Sequence, residues 1–124
     1  MKILLSIKPE FVEEIISGRK KYEFRKQLFK HIEIKTIVVY ASSPISKIIG
    51  EFEIEDILSS APSKLWAKTS KESGISSTFF FSYFANRAVA HAIKIGKFTL
   101  YPHPLGLEEY SSNLRPPQSF CYIE

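Results

Sequence analysis

The run Ile37-Val38-Val39-Tyr40-Ala41 constrains this chain more than any other stretch. Five consecutive apolar residues leave no polar face for water, so the segment reads as a strand buried on both sides, ended by Ser42-Ser43-Pro44. A clean alternation follows. It predicts Ile48, Gly50, Phe52 and Ile54 facing inward and Ile49, Glu51, Glu53 and Glu55 facing out, with Gly50 marking a bulge or a close backbone approach.

Local signals predict the other elements. Lys2 to Ile7 reads as a short strand. Pro9 then stands where a first helical turn accepts proline, and the acids after it suit a helix N-terminus. Phe11, Val12, Ile15 and Ile16 share one face of that helix, and Ser17-Gly18 stops it. Lys21 to Arg25 alternates as a strand, with Tyr22 and Phe24 on one side and Lys21, Glu23 and Arg25 on the other. From Pro62 to Phe84 the spacing predicts two short helices, around Lys64–Lys68 and from about Ser76 to Phe84, with Gly74 between them. Ala88 to Ile95 returns to strand, Gly96 is expected to turn the chain, and Pro102 to Pro117 reads as turns before a closing strand at Gln118–Ile123. This order suits a small mixed barrel with helices packed around it.

At 124 residues, 44% hydrophobic and 24% charged, the chain fits one globular domain. The single Cys121 forms no internal disulfide, and no Cys/His cluster has metal-ligand spacing, which excludes a secreted disulfide scaffold and a zinc finger. Neither a membrane span nor a signal peptide is legible, so the expected setting is a reducing cytoplasm. The net charge of +4 permits a polyanionic partner. Its distribution says more: Arg19, Lys20, Lys21, Arg25, Lys26, Lys30 and Lys35 meet only Glu23 and Glu33 between positions 19 and 35.

Inside that basic stretch, a helix-ending glycine leads straight into a strand with an acid between bases. Glu23 and Arg25 are two apart and project on the same side, close enough for a charge-assisted pair, with Lys20 just before them. Such a face can hold a phosphate or a polarised carbonyl, and its carboxylate can accept protons from the exocyclic amine of a base. The plainer reading is a solvated strand with ordinary salt bridges.

The spacing Gly18-x-Lys20-x-x-Glu23-x-Arg25 resembles the signature G-x-K-x-x-E-x-R of the ASCH domain family, within the PUA-like superfamily, and matches at all four positions. Further segments resemble one branch of that family: Ile3 to Pro9, Tyr40-Ala41-Ser42-Ser43-Pro44, Ile49-Gly50-Glu51-Phe52, the isolated Trp66, and Pro117-Gln118-Ser119-Phe120. The resemblance implies an α+β fold over residues 1–124 as a single domain: a PUA-like small mixed β-barrel with an N-terminal helix and two inserted helices. It implies a cleft lined by Gly18, Lys20, Glu23 and Arg25, RNA or another nucleic acid as partner, and a regulatory role in transcription or translation. Some members carry a helix-turn-helix domain beside the barrel, so this chain is expected to act through the barrel alone or through a partner.

A second branch of the family hydrolyses the amide of N4-acetylcytidine with a threonine nucleophile where this chain has Glu23, while Lys20 matches its activating lysine. The resemblance therefore makes Lys20 and Glu23 the catalytic pair of any amidohydrolase reading. A carboxylate attacking an amide would form an anhydride, so Glu23 would instead act as a general base on water, with Lys20 stabilising the oxyanion. Glu51 and Glu72 are candidates for a further acid. A third reading is a protein-interaction module whose basic segment recognises an acidic partner.

Other residues divide between site and scaffold. Arg87 follows the aromatic helix, where it either faces the cleft or simply caps a helix end. Phe80, Tyr83 and Phe84 sit at helical spacing and read as core rather than as stacking surfaces. Trp66 divides evenly between core and cleft wall, and Ser42 between turn chemistry and ligand binding. His91 shares a strand face with Val89, Ile93 and Ile95 and reads as a core histidine. No metal or cofactor is expected.

Overall fold

The computed structural model describes residues 1–124. Strand β1 (Lys2–Ile7) leads into helix α1 (Pro9–Ile16), with Pro9 in its first turn, and then into strands β2 (Tyr22–Arg25), β3 (Thr36–Ala41) and β4 (Lys47–Ser60). Helix α2 (Pro62–Thr69), a single 3-10 turn at Ser70–Glu72 and helix α3 (Ser77–Tyr83) follow, then β5 (Ala90–Leu105), the one-turn α4 (Leu107–Tyr110) and β6 (Phe120–Ile123). All six strands share one sheet in the order β2-β5-β4-β3-β1-β6, curled into a half-barrel. Only β1 and β3 are parallel; every other neighbouring pair is antiparallel.

The central strands are covered on both faces, as the apolar run at 37–41 requires. Ile3, Leu5, Ile37 and Val39 pack on one side with Val12 and Ile15 of α1 and with Phe29 and Ile34 from the β2–β3 loop. Leu4, Val38, Tyr40 and Ile123 pack on the other, closed by Leu107, Tyr110 and Leu114. Burying each such side chain is worth about 1.5–3 kcal/mol, which is why these strands anchor the fold. A third cluster gathers Tyr22 and Phe24 of β2 against Leu65, Phe80 and Phe84 of the inserted helices.

Three expectations are corrected. Ile48 and Phe52 do not share a face, because the β3–β4 and β4–β5 registers slip around Gly50: Ile48 joins Val38, whereas Ile49 packs with Phe52's cluster. A side chain at Gly50 would run into the Thr99 carbonyl, so glycine is what lets β4 and β5 approach there. Gly96 does not turn the chain. Strand β5 runs through it, and a Cβ at that position would lie only 3.0 Å from the Glu53 carbonyl oxygen. The stretch read as turns from Pro102 instead begins as the end of β5 and contains α4; Pro102 and Pro104 fall between the paired residues Leu100 and Leu105, where no ladder hydrogen bond needs their missing N–H.

Candidate functional site

Helix α1 ends in a tight turn whose pivot, Gly18, has φ +84, a left-handed value that disfavours any side chain. From that turn the chain enters β2 with Lys20 pointing inward. Lys20 is only 2% exposed. Its Nζ donates to the Ser73 carbonyl at 2.9 Å and sits 5.2 and 4.9 Å from the ring centres of Phe11 and Phe24. Burial pushes this ammonium below the usual lysine range, and the negative charges of Glu23 and Glu14 offset only part of the shift. Gly74, φ +69, lies against it, and a Cβ there would collide with the Lys20 side chain.

Two residues on, Glu23 is buried and accepts from Arg25 Nη1 at 3.1 Å. The Arg25 guanidinium also donates to the Ser6 carbonyl at 3.4 Å and to Ser119 Oγ. It thereby fastens edge strand β2 to β1 and to the residue before β6, the opposite edge of the sheet. No buried side-chain polar atom is left without a partner.

These three side chains lie in the wall of a cavity of about 350 Å³. Ser6 and Lys8 at the end of β1, Ser42 after β3, and Gln118 complete its polar lining. The apolar side comes from Ile7, Phe11, Phe24, Ile75, Phe79 and Tyr83. Phe79 lies edge-on to Phe11 at 5.3 Å, and the rings of Phe79 and Tyr83 are nearly parallel, 10° apart. Cations also lean on this wall: Lys8 Nζ is 5.7 Å from the Phe79 ring and Lys26 Nζ 4.8 Å from that of Tyr83. Burial raises the Tyr83 phenol above its usual range, so it is neutral and able to donate. With Lys8, Lys20 and Arg25 against Glu23 alone, the lining is cationic.

Of the residues singled out from sequence, the structure brings Lys20, Glu23, Arg25 and Ser42 together in this cavity. Gly18 shapes the turn without lining it. Trp66 lies outside, its ring centre 4.8 Å from that of buried Phe80 and its other contact with Phe81. Arg87 is exposed beyond α3, and its backbone N–H donates to the Phe84 carbonyl. Neither candidate further acid reaches the cavity. Glu51 accepts from Lys2 at 3.1 Å and from Tyr101 at 2.7 Å; burial opposes its charge, but these two donors hold its carboxyl below the usual range. Glu72 is exposed on the 3-10 turn.

Sequence reasoning missed Ser6, Lys8, Phe11, Phe79 and Gln118 as wall residues and assigned Tyr83 to the core. One signal was present. Helix α3 carries two aromatic stripes, Phe80/Phe84 and Phe79/Tyr83, each at i,i+4 spacing, and a helix of this size has room to bury only one completely.

The ASCH domain matches residues 5–99, a span that runs from the end of β1 through the signature turn and most of the sheet. This chain belongs to the ASCH domain family. An ASCH domain-containing ribonuclease of Zymomonas mobilis is 30% identical over 127 residues, covering 97% of this chain and 82% of that protein. The crystal structure of the ASCH protein from Zymomonas mobilis superposes with a TM-score of 0.88 at 27% identity, covering 99% of this chain and 87% of the other. The large ribosomal subunit protein uL22 of Ureaplasma parvum is 29% identical over 122 residues; these are 98% of this chain but only 39% of that protein. The PUA-like α+β architecture expected from the signature is thus the observed one. No helix is long and apolar enough to cross a membrane.

Proposed function

We propose that this ASCH domain binds single-stranded RNA and seats one nucleoside in the cavity that holds Lys20, Glu23 and Arg25. The observation that carries the reading is the combination of size and lining: about 350 Å³, aromatic on one side and cationic on the other. That volume is near the lower end for small-ligand sites, about 300–1,000 Å³, and admits an unstacked nucleoside but no duplex. Phe79 and Tyr83 offer faces for a base, Arg25 and Lys8 offer charge to its phosphate, and Glu23 offers an acceptor to an exocyclic amine. The relative named a ribonuclease supports RNA as the class of ligand. In this reading the domain serves regulation of transcription or translation, as the family resemblance implies, in the reducing cytoplasm expected for a chain with one cysteine.

The same relative favours cleavage as a second reading. Attack by a ribose 2′ oxygen on the adjacent phosphorus needs a base for its proton, a donor for the departing 5′ oxygen and a cation for the crowded phosphate. Glu23, Tyr83 and the Lys20–Arg25 pair are the groups of those types in the cavity.

The test is affinity for single-stranded RNA, structured RNA and duplex DNA at two salt concentrations, with Arg25→Ala as control and product analysis after long incubation. Single-stranded RNA is expected to bind best, to weaken with salt, and to lose at least about tenfold in the variant, equal to about 1.4 kcal/mol. Equal affinity for all three, or an unaffected variant, overturns the reading. N4-acetylcytidine and an acidic peptide belong in the same assay. Acetate release, or binding of the peptide alone, would install the amidohydrolase or the protein-interaction reading instead.

A further inference from the structure

The half-barrel is not closed. Strands β2 and β6 are the two ends of the sheet, and no backbone ladder joins them. Where they meet, Arg25 bridges the gap to Ser119, and just beyond that bridge lies a second, more open hollow of about 730 Å³. One bank is the segment after β2, with Lys26 and Lys30, and the other is β6, with Phe120 and Tyr122; His91 of β5 forms part of the lining. No carboxylate lines it. Both lysines are exposed, as is the Tyr122 ring, whose hydroxyl accepts from the backbone N–H of Lys30 at 2.9 Å and so holds that lysine's loop against β6.

Two observations connect the hollow to the cavity. Lys26 belongs to its lining, yet its Nζ rests 4.8 Å from the ring of Tyr83, which lines the cavity. Gln118 of the cavity and Phe120 of the hollow flank Ser119, the residue that Arg25 binds. Cationic lining therefore continues from one to the other through Lys26, and aromatic surface resumes at Phe120 and Tyr122. Lysines that follow a backbone, alternating with rings that accept any base, are what a polyanionic single strand requires.

We infer that the seam between β2 and β6 is a second RNA subsite, which takes the nucleotides adjoining the one seated in the cavity. This rests on the reading of the cavity as an RNA site. Lys30 supplies a phosphate contact there and Tyr122 a stacking face, so the length of strand bound is set by the unclosed edge of the sheet.

Calorimetry of the full chain with uridine 5′-monophosphate and with 2′-fluoro oligouridylates of two, four and six residues tests this. The fluorine removes the attacking hydroxyl, so no probe is consumed during the titration. Affinity is expected to climb between the monomer and the tetramer and then level off. Lys30→Ala should weaken the tetramer about three-fold or more and reduce its salt slope by about 0.7. The same variant should leave the monomer unchanged. Lys97→Ala removes the same charge from outside both hollows and should change neither. A flat length series, or equal losses from Lys30→Ala and Lys97→Ala, overturns the second subsite. Where monomer binding survives and depends on Arg25, the cavity reading stands without it. Absence of binding by every probe overturns both.

Discussion

Strands β2 and β3 are both deeply buried, in very different company. Ile37, Val38 and Val39 of β3 have no exposed surface and pack into apolar clusters on either face. In β2, Tyr22 and Phe24 pack against the inserted helices, while Glu23, 5% exposed, pairs with Arg25 in the wall of the cavity that Lys20 also lines. The centre of the sheet draws stability from apolar area removed from water. The charged groups at the edge add little, because the attraction between buried charges roughly offsets their desolvation. Partnered charges held dry at small net gain are a feature on which the proposed RNA site rests.

The most severe way to probe this contrast is Phe52→Ala in the apolar cluster. It should lower unfolding stability by about 3–5 kcal/mol, read from urea denaturation, with RNA affinity intact in the protein that remains folded. A pair of aromatic substitutions sharpens the division next. Trp66→Ala, outside the cavity and half-buried, should cost about 2 kcal/mol of stability and leave binding unchanged. Phe79→Ala should do the opposite, removing about 1–3 kcal/mol of RNA binding at small cost in stability. If the two exchanged effects, the assignment of stripes on α3 would be reversed.

Lys20→Met is the most direct attempt to break the contrast. An apolar side chain of similar length removes a desolvated charge but leaves the Ser73 carbonyl without its donor, so the two effects oppose and stability should change by less than about 2 kcal/mol. RNA affinity should fall at least about tenfold, or 1.4 kcal/mol. A stability loss as large as that of Phe52→Ala would make Lys20 an ordinary part of the core.

The smallest effect is in the pH dependence. Burial sets the folded pKa of Lys20 below the 10.5 of a free lysine, so between the two values the unfolded chain binds more protons than the folded one. Stability from this group therefore rises with pH through that window, as the buried ammonium is relieved of its proton. Urea midpoints from neutral to alkaline pH should rise for the wild type relative to Lys20→Met. Parallel curves would show that the ammonium is not desolvated.

Much of the fold was legible because its signals are local. Pro9 and Gly18 bracket α1 through backbone preferences of single residues, and the two-residue period of a strand places Glu23 beside Arg25 whatever surrounds them. The slip at Gly50 was legible as a bulge but not in its consequence. Which face Ile48 joins depends on how far β4 moves against β5, and the 14- and 16-residue lengths of those strands are fixed by their pairing with each other.

By itself the sequence determined the helix-ending turn, the alternation of β2 with its acid–base pair, and the doubly buried strand at the centre. Each follows from spacing along the chain, where φ preferences and side-chain direction repeat every few residues. Only the tertiary structure decided which groups share the cavity. Ser6, Ser119 and Gly74 stand far from β2 in the chain, and the order of strands in the sheet, with the fold of the inserted helices, brings them to Arg25 and Lys20. It also decided that one aromatic stripe of α3 is core and the other wall, because burial is a property of what packs against a residue and not of the residue itself.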